Sequence, residues 1–401
     1  MRSFRNLADA AFEPPARGLV LVGPNGHGKT SLLEALLYPE VFRSFRGARD
    51  REVVRFGEDG FHVAVEMDGS AAEHSDVARG QGPQWSPEAS APGTVISAGY
   101  DARTGEKRVT LNGVVAPRLA DAIGAVRGVV FSPSDVQLAT GGAAVRRRYL
   151  DVLLSLTVPG YVETLAEYRR AVRHRSRVGA GAAGAAGAAG GAGGAGTDVE
   201  DWEALVARAG ARIAAARRGW VERWAPRYGE HCVAIGEASG TAGLGYASRG
   251  TESEGDLAAA LARSRERDLA RGTTSVGPHR DDLRLLLGER SLATYGSAGQ
   301  WRTAALALRL IEAETLAETD GRGGGRAGGR VGGGGGLPAI CLDDAFAELD
   351  EERSMRLGRL VEALASRGSQ VFATVPRERE MPEALSGLAR WRVRRGHLEA
   401  A

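Results

Sequence analysis

Apolar positions along the chain follow two periods, and the change from one to the other divides it. GLVLVG (18–23) is a short apolar, β-branched run stopped by glycine, the pattern of a buried strand. TSLLEALLY (30–38) takes up helical character directly after it. RVTLNGVVA (108–116) sets an Asn-Gly pair between two β-rich runs and predicts a hairpin. LPAICLDD (337–344) and SQVFATV (369–375) predict two more buried strands, each next to helical sequence. The middle differs. Trp202, Val206, Ala209, Ile213, Ala216 and Trp220 recur at alternating steps of four and three, a heptad stripe, and Val162, Leu165, Tyr168 and Val172 recur similarly. Two helices packed along these stripes account for both better than a cofactor box does. Strand–helix alternation at both ends around a helical middle predicts an α/β domain interrupted by a helical lobe. On this pattern the first part of the α/β domain covers 1–140, the lobe 141–272 and the second part 273–401.

Composition sharpens the outline in a few places. The low-complexity stretches 179–196 and 321–336 hold 20 of the 57 glycines. Such sequence cannot bury apolar surface and predicts flexible surface insertions, so motif spacing is judged without them. A milder polar, Pro-containing loop covers 70–93. The whole chain, 401 residues with 43% hydrophobic and 25% charged, is long enough for one large or two smaller cores. With a net charge of only +2, this composition excludes disorder throughout. It is silent on nucleic acid, because a local basic patch suffices to bind phosphate. No run of about 18 apolar residues offers a membrane span, and MRSFRNLADAAFEPP lacks the apolar core of a secretory signal. Cys232 and Cys341 cannot make a disulfide framework or a thiolate zinc site, which leaves a reducing cytoplasm as the expected compartment.

Gly23-Pro24-Asn25-Gly26-His27-Gly28-Lys29-Thr30 fits the phosphate-binding pattern GxxxxGK[ST] between a predicted strand and a predicted helix, and these residues with Ser31 are the expected nucleotide-binding set. The glycines let backbone N–H groups wrap a phosphate, and the helix N-terminus adds partial positive charge. Lys29 reaches the terminal phosphates and Thr30 can ligate Mg²⁺. Lys29 is one of only two lysines in an arginine-dominated chain, at a place that wants a point-like ammonium and not a planar guanidinium. His27 is expected to point to solvent.

LPAICLDD supplies the complementary half of a nucleotide site. A buried strand ending in Asp343 can deliver a carboxylate to the bound Mg²⁺, and Asp344 is placed to orient or deprotonate an attacking water. Taken alone, the pair would equally be a strand end with a solvated turn. Ser297, Gly299 and Gln300, in YGSAGQ before the helical WRTAALALRLIEAETLAE, form another phosphate-competent surface, or simply a cap on that helix. The order of these three features is the layout of an ABC-type ATPase head, in which the Ser-x-Gly-Gln segment of one protomer closes on the γ-phosphate held by the other.

The sequence resembles a narrower group, the RecF family of bacterial DNA replication and repair proteins, relatives of the structural-maintenance-of-chromosomes (SMC) ATPases. SFRN (3–6), VGPNGHGKTSLLEAL (22–36), RSFR (43–46), FSPSDVQLATGG (131–142), RRRYLD (146–151), TSVGPHRDDL (274–283), YGSAGQWRT (295–303) and CLDDAFAELDEER (341–353) carry the likeness, in the family's order. RRRYLD and GPHRDDL belong to this family and not to ATPases at large. The resemblance implies a P-loop ABC-type ATPase head with an inserted, mainly helical lobe, and ATP and Mg²⁺ as cofactors. It implies an ATP-dependent homodimer that binds gapped DNA and single-strand/double-strand junctions and works with RecR and RecO to place RecA. Glu348-Leu349-Asp350 then resembles the loop that meets the partner protomer. Thr374 stands where transporter ATPases carry a switch histidine, and the family likewise lacks it. A full strand usually precedes SFRN in the family; here it is shortened, or the true start lies upstream. Gln137 is close to, but not at, the place of a Mg²⁺-contacting glutamine and is left unassigned.

Two arginine groups, Arg43, Arg46, Arg49 and Arg51, and Arg146, Arg147 and Arg148, could bind phosphate, or be solvated or paired with nearby acids. His279, Arg280, Asp281 and Asp282 imitate a metal cluster, yet their spacing fits a loop entering a strand. Two other functions compete. The ATP-binding subunit of a membrane transporter shares the loop and the Ser-x-Gly-Gln segment but normally has Asp-Glu and the histidine. A nucleotide-dependent DNA-binding scaffold with negligible turnover differs only in rate.

Overall fold

The structure, a computed structural model, describes residues 1–67, 93–185, 195–236, 241–248, 253–319 and 337–400. The 321–336 stretch and all but the last residue of the expected loop at 70–93 lie outside them. In chain order the elements are β1 (Gly18–Val22), α1 (Lys29–Val41), α2 (Asp50–Val53), β2 (Gly60–Met67), β3 (Thr94–Asp101), β4 (Lys107–Leu111), β5 (Val114–Val115) and β6 (Gly128–Phe131). There follow α3 (Val136–Thr140), α4 (Ala143–Thr157), α5 (Tyr161–Ala185), α6 (Ala195–Ile235), β7 (Ala242–Ala247), α7 (Glu254–Arg271), β8 (Asp282–Leu287) and β9 (Arg290–Ser291). The chain closes with α8 (Leu292–Tyr295), α9 (Ala298–Glu318), β10 (Ala339–Asp343), α10 (Glu351–Ser366), β11 (Val371–Val375), β12 (Ala389–Arg394) and β13 (His397–Ala400). The residues fall into two compact units, Met1–Asp135 with Ala234–Gly236 and Leu306–Ala401, and Val136–Val233 with Glu237–Ala305.

The first unit is built on a six-stranded sheet of order β13-β12-β1-β11-β10-β6, parallel except for the antiparallel edge strand β13. The apolar runs of β1, β10 and β11 are buried over almost their whole length, as strands covered on both faces must be. Val22 pairs with Val375 and Asp343 with Thr374, so the carboxyl ends of three neighbouring strands lie side by side. Open α/β sheets bind their ligands at such ends. An antiparallel sheet, β2-β3-β4-β5, closes through the expected hairpin, with Asn112 at φ 49° and Gly113 at φ 81° as a two-residue turn requires. α1 has no polar face: Leu32, Leu33, Leu37 and Tyr38 are buried in one core with Leu19, Leu21 and Phe372 of the parallel sheet and Phe61, Val63 and Ile96 of the antiparallel one. Phe4, from SFRN, stacks edge-on against Phe61 at 5.3 Å and Tyr38 at 6.0 Å. Met1–Phe4 adds only single bridges, Arg2 to His62 and Phe4 to Val54.

The second unit holds α3 to α5, most of α6, α7, α8, the start of α9 and the small sheet β7-β8-β9. The heptad stripe is buried at Val206, Ala209, Ile213 and Trp220, and its counterpart at Leu165 and Tyr168. One turn beyond Ala171 and two beyond Tyr168 on α5 stands Arg175, 1% exposed, where the pattern calls for an apolar side chain. It is paired with Glu203 at 2.9 Å and Asp268 at 3.0 Å. Helix extends into both ends of the 179–196 insertion, against the expectation of a linker, because alanine continues helices nucleated in the flanking sequence. No helix among the described residues is long and apolar enough to cross a membrane.

Candidate functional site

The loop after β1 folds as its glycines dictate. A Cβ on Gly23 would stand 2.4 Å from the Val393 carbonyl oxygen, so no larger residue fits. Gly26 and Gly28 have φ of 79° and 108°, the left-handed region that side chains avoid. Lys29, 4% exposed, turns back into the loop, and its Nζ donates to the carbonyls of Gly23 at 2.7 Å and Pro24 at 3.2 Å and to Asn25 Oδ1 at 3.3 Å. Burial pushes the Lys29 ammonium below its usual range, and the carboxylates of Asp344, Asp343 and Glu380 oppose that shift. His27 departs from expectation: its side chain is only partly exposed, and its Nδ1 is buried without a hydrogen-bond partner.

Residues far away in sequence hold the loop. Asn6 donates to the Gly26 carbonyl at 2.9 Å and accepts from the Ser31 hydroxyl at 2.9 Å, and the Gly396 amide donates to the His27 carbonyl at 2.9 Å. Arg5 grips Glu34, in the second turn of α1, through Nε at 3.0 Å and Nη2 at 2.7 Å, and Arg46 stands 3.7 Å from the same carboxylate. SFRN and RSFR thus meet at one buried glutamate. Local periodicity does not reveal this pairing.

Asp343 ends β10, and its Oδ1 accepts from the Thr30 hydroxyl at 2.7 Å and the Thr374 hydroxyl at 3.0 Å. Burial raises the Asp343 carboxyl above the usual range, the two hydroxyls lower it and Asp344 raises it again. A hard cation beside Thr30 and Asp343 would offset that cost, and a hydroxyl with a carboxylate is the donor set Mg²⁺ takes. Asp344 turns out of the strand with φ 49°; its N–H donates to Thr374 Oγ1 at 3.0 Å, and its Oδ1 lies 3.4 Å from the same hydroxyl. Lys29, Thr30, Asp343 and Asp344 are therefore gathered at the strand ends of the first unit. Ser297, Gly299 and Gln300 lie in the second. There the Ser297 N–H donates to Gln300 Oε1 at 2.9 Å and Ser297 Oγ accepts from the Gln300 N–H at 3.3 Å, a reciprocal cap on α9. The Trp301 indole donates to the Leu292 carbonyl at 2.8 Å and fixes the turn ahead of it.

No family model matches the chain. It is 31% identical over 386 residues to the DNA replication and repair protein RecF of Myxococcus xanthus, an alignment covering 93% of this chain and 88% of that one. With RecF of Beutenbergia cavernae the identity is 33% over 413 residues, covering 96% and 95%. With RecF of Anaeromyxobacter sp. strain K it is 34% over 390 residues, covering 93% and 90%. The chain belongs to the RecF family. A solved structure of the recombination mediator RecF with ATP, of the RecFOR pathway, superposes with a TM-score of 0.79 at 26% identity, over 100% of this chain and 95% of that one. The SMC head domain of Pyrococcus yayanosii matches at a TM-score of 0.54 and 12% identity, a likeness of fold alone. The fold is the α/β ATPase head of this class with an inserted, mainly helical lobe.

Within this RecF-family chain the two family-specific motifs explain each other. Arg146 of RRRYLD is buried and binds Asp282 of GPHRDDL through two bonds, 2.9 and 2.8 Å, while Arg147 donates to the Asp281 carbonyl at 2.7 Å. Asp151 accepts from Arg217 at 2.6 Å and Tyr161 at 2.9 Å, and Arg217 also reaches the Pro278 carbonyl at 2.7 Å. His279 sits between the Tyr168 hydroxyl at 2.6 Å and the Thr274 carbonyl at 2.8 Å. Of the seven candidate arginines, Arg146 is therefore an internal ion-pair partner, whereas Arg43, Arg49, Arg51 and Arg148 are exposed.

Proposed function

We propose that this RecF-family protein binds ATP with Mg²⁺ at the loop Gly23–Ser31 and hydrolyses it slowly, using the nucleotide to close a dimer on DNA. The observation that carries the reading is the convergence of Lys29, Thr30, Asp343 and Asp344 at neighbouring strand ends. Thr30 and Asp343 would hold Mg²⁺, which neutralises phosphate charge when bound. Lys29, now donating to its own loop, exchanges those carbonyls for phosphate oxygens. Asp344 accepts the proton of the attacking water. Ser297, Gly299 and Gln300 complete the site of the opposite protomer, where the α9 N-terminus favours an anion. Because γ-phosphate contacts to that segment exist only in the closed dimer, ATP shifts the equilibrium by its differential affinity for the closed state. The DNA is gapped or carries a single-strand/double-strand junction, and RecR and RecO share the task of placing RecA. Support comes from the RecF relatives and from the solved RecF with ATP. Membership of the RecF family leaves no ground for the transporter reading.

The test is ATP affinity by titration calorimetry together with turnover on gapped and intact duplex DNA. Lys29→Ala should abolish ATP binding while leaving the fold intact. ATP affinity within about threefold of the native chain would refute the site, since a charge-assisted phosphate contact is worth roughly 1.5–3 kcal/mol.

A further inference from the structure

The two carboxylates share one hydroxyl. We infer that Thr374 is a positioning residue for ATP turnover, fixing Asp344 relative to Asp343; the inference rests on the nucleotide-hydrolysing reading above. Thr374 is 1% exposed, on β11 directly beside Asp343 in the parallel register. Its neighbours on β11, Val371, Phe372, Ala373 and Val375, are buried and apolar, so the hydroxyl is a costly choice unless it is used.

It is fully used. A hydroxyl has one proton to give and two lone pairs to accept with. Thr374 Oγ1 donates to Asp343 Oδ1 at 3.0 Å and accepts the Asp344 N–H at 3.0 Å, with Asp344 Oδ1 at 3.4 Å as a second acceptor for its proton. Successive residues of a strand point to opposite faces, yet Asp343 and Asp344 both reach this one oxygen. The left-handed φ of 49° at Asp344 is what brings the second carboxylate round. That conformation costs most side chains about 1–2 kcal/mol, and aspartate is one of the few that adopt it where local hydrogen bonds hold it. The Thr374 oxygen holds it by accepting the Asp344 N–H, helped by the turn in which Ala347 N–H donates to the Asp344 carbonyl at 3.1 Å. The contacts of Thr374 Oγ1 are to Asp343 and Asp344. It sets the direction in which the base faces.

The experiment compares native chain, Thr374→Val, Thr374→Ser and Asp344→Asn at full length, measuring kcat and KM for ATP with Mg²⁺ and gapped DNA, and ATP affinity in EDTA. Valine keeps the shape and removes the hydroxyl; serine keeps the hydroxyl. Thr374→Val should lower kcat at least about tenfold, a fraction of what a general base contributes, with KM and the metal-free affinity within about threefold. Thr374→Ser should return kcat to within about threefold of native. Native-like kcat in the valine variant, a serine variant as slow as valine, or a loss shared equally by KM and the EDTA affinity would each overturn the inference. Turnover in Asp344→Asn equal to native, or none in the native chain, would instead defeat the hydrolytic reading and the inference with it.

Discussion

Arg5→Ala should destabilise the first unit more than any substitution at an exposed arginine, because it strips a buried carboxylate. Glu34 has no exposed side-chain surface, and Arg5 meets both its oxygens at 3.0 and 2.7 Å. Removing one partner of a buried pair costs roughly 3–5 kcal/mol, most of it the penalty of a charge left alone. Two features moderate that here: Arg5 retains 19% exposure, and Arg46 can close in from 3.7 Å. The working figure is therefore about 2–3 kcal/mol. Urea denaturation followed by circular dichroism gives the number, and Arg5→Ala with Glu34→Gln tests its origin. If the cost is the orphaned charge, the double variant should recover at least about 1 kcal/mol of what the single one loses. ATP affinity should fall with it, since Asn6, next in sequence, holds Gly26 and Ser31. A loss below about 0.5 kcal/mol, the level of an ordinary surface change, would refute the reasoning. So would a double variant no better than the single.

Asp344→Asn should keep ATP and Mg²⁺ binding but stop turnover, leaving an ATP-bound dimer on DNA that elutes at doubled mass; a monomer, or native turnover, would contradict the role given to Asp344. Ser297→Arg should bind ATP as a monomer and fail to pair, and mixing it with Lys29→Ala should restore pairing, because one composite site in the mixed dimer is intact; loss of ATP binding in the Ser297→Arg monomer would place the segment in cis. Burial, together with the Glu312 carboxylate and against the Gly128 N–H, pushes Glu40 up to about 8. A raised carboxyl stabilises the fold fully below its unfolded value of 4.5 and loses that contribution as pH rises through about 8, so denaturation at pH 6 and 8.5 should show a drop that Glu40→Gln flattens.

What was legible in the sequence was whatever the backbone does locally. The loop Gly23–Thr30 can be read because its glycines lie close together in sequence and each answers a local demand: Gly23 a close approach, Gly26 and Gly28 a positive φ. β1, β10 and β11 can be read because strands covered on both faces are apolar almost throughout, Asp343 and Thr374 being the polar exceptions. Side-chain partners were not legible. Glu34 looks like the polar position of an amphipathic helix until α1 is seen to contribute to a core shared with both sheets, and then it needs arginines from 29 residues upstream and from RSFR downstream. His27, the one variable position of the loop with an aromatic ring, looked solvent-facing because the pattern leaves that residue free, yet its Nδ1 is buried.

The same limit explains Arg175 and the motif pair. A heptad stripe tells which side of a helix is inward, and it assumes the inward side is apolar. Arg175 obeys the geometry and breaks the assumption, because Glu203, Asp268 and the Leu261 carbonyl surround it with acceptors. RRRYLD and GPHRDDL are recognisable as words, but their partners are not: Arg146 pairs with Asp282 of the other motif, and Asp151 with Arg217, which lies outside both and also binds the Pro278 carbonyl. Arginine is the residue best able to stay charged in such a place, since its planar fork satisfies several acceptors at once. An arginine cluster in a helical lobe is therefore as much a candidate for internal wiring as for phosphate. Only the partners decide, and for Arg146 they are both carboxylate oxygens of Asp282 and the carbonyls of Leu138 and Gly141.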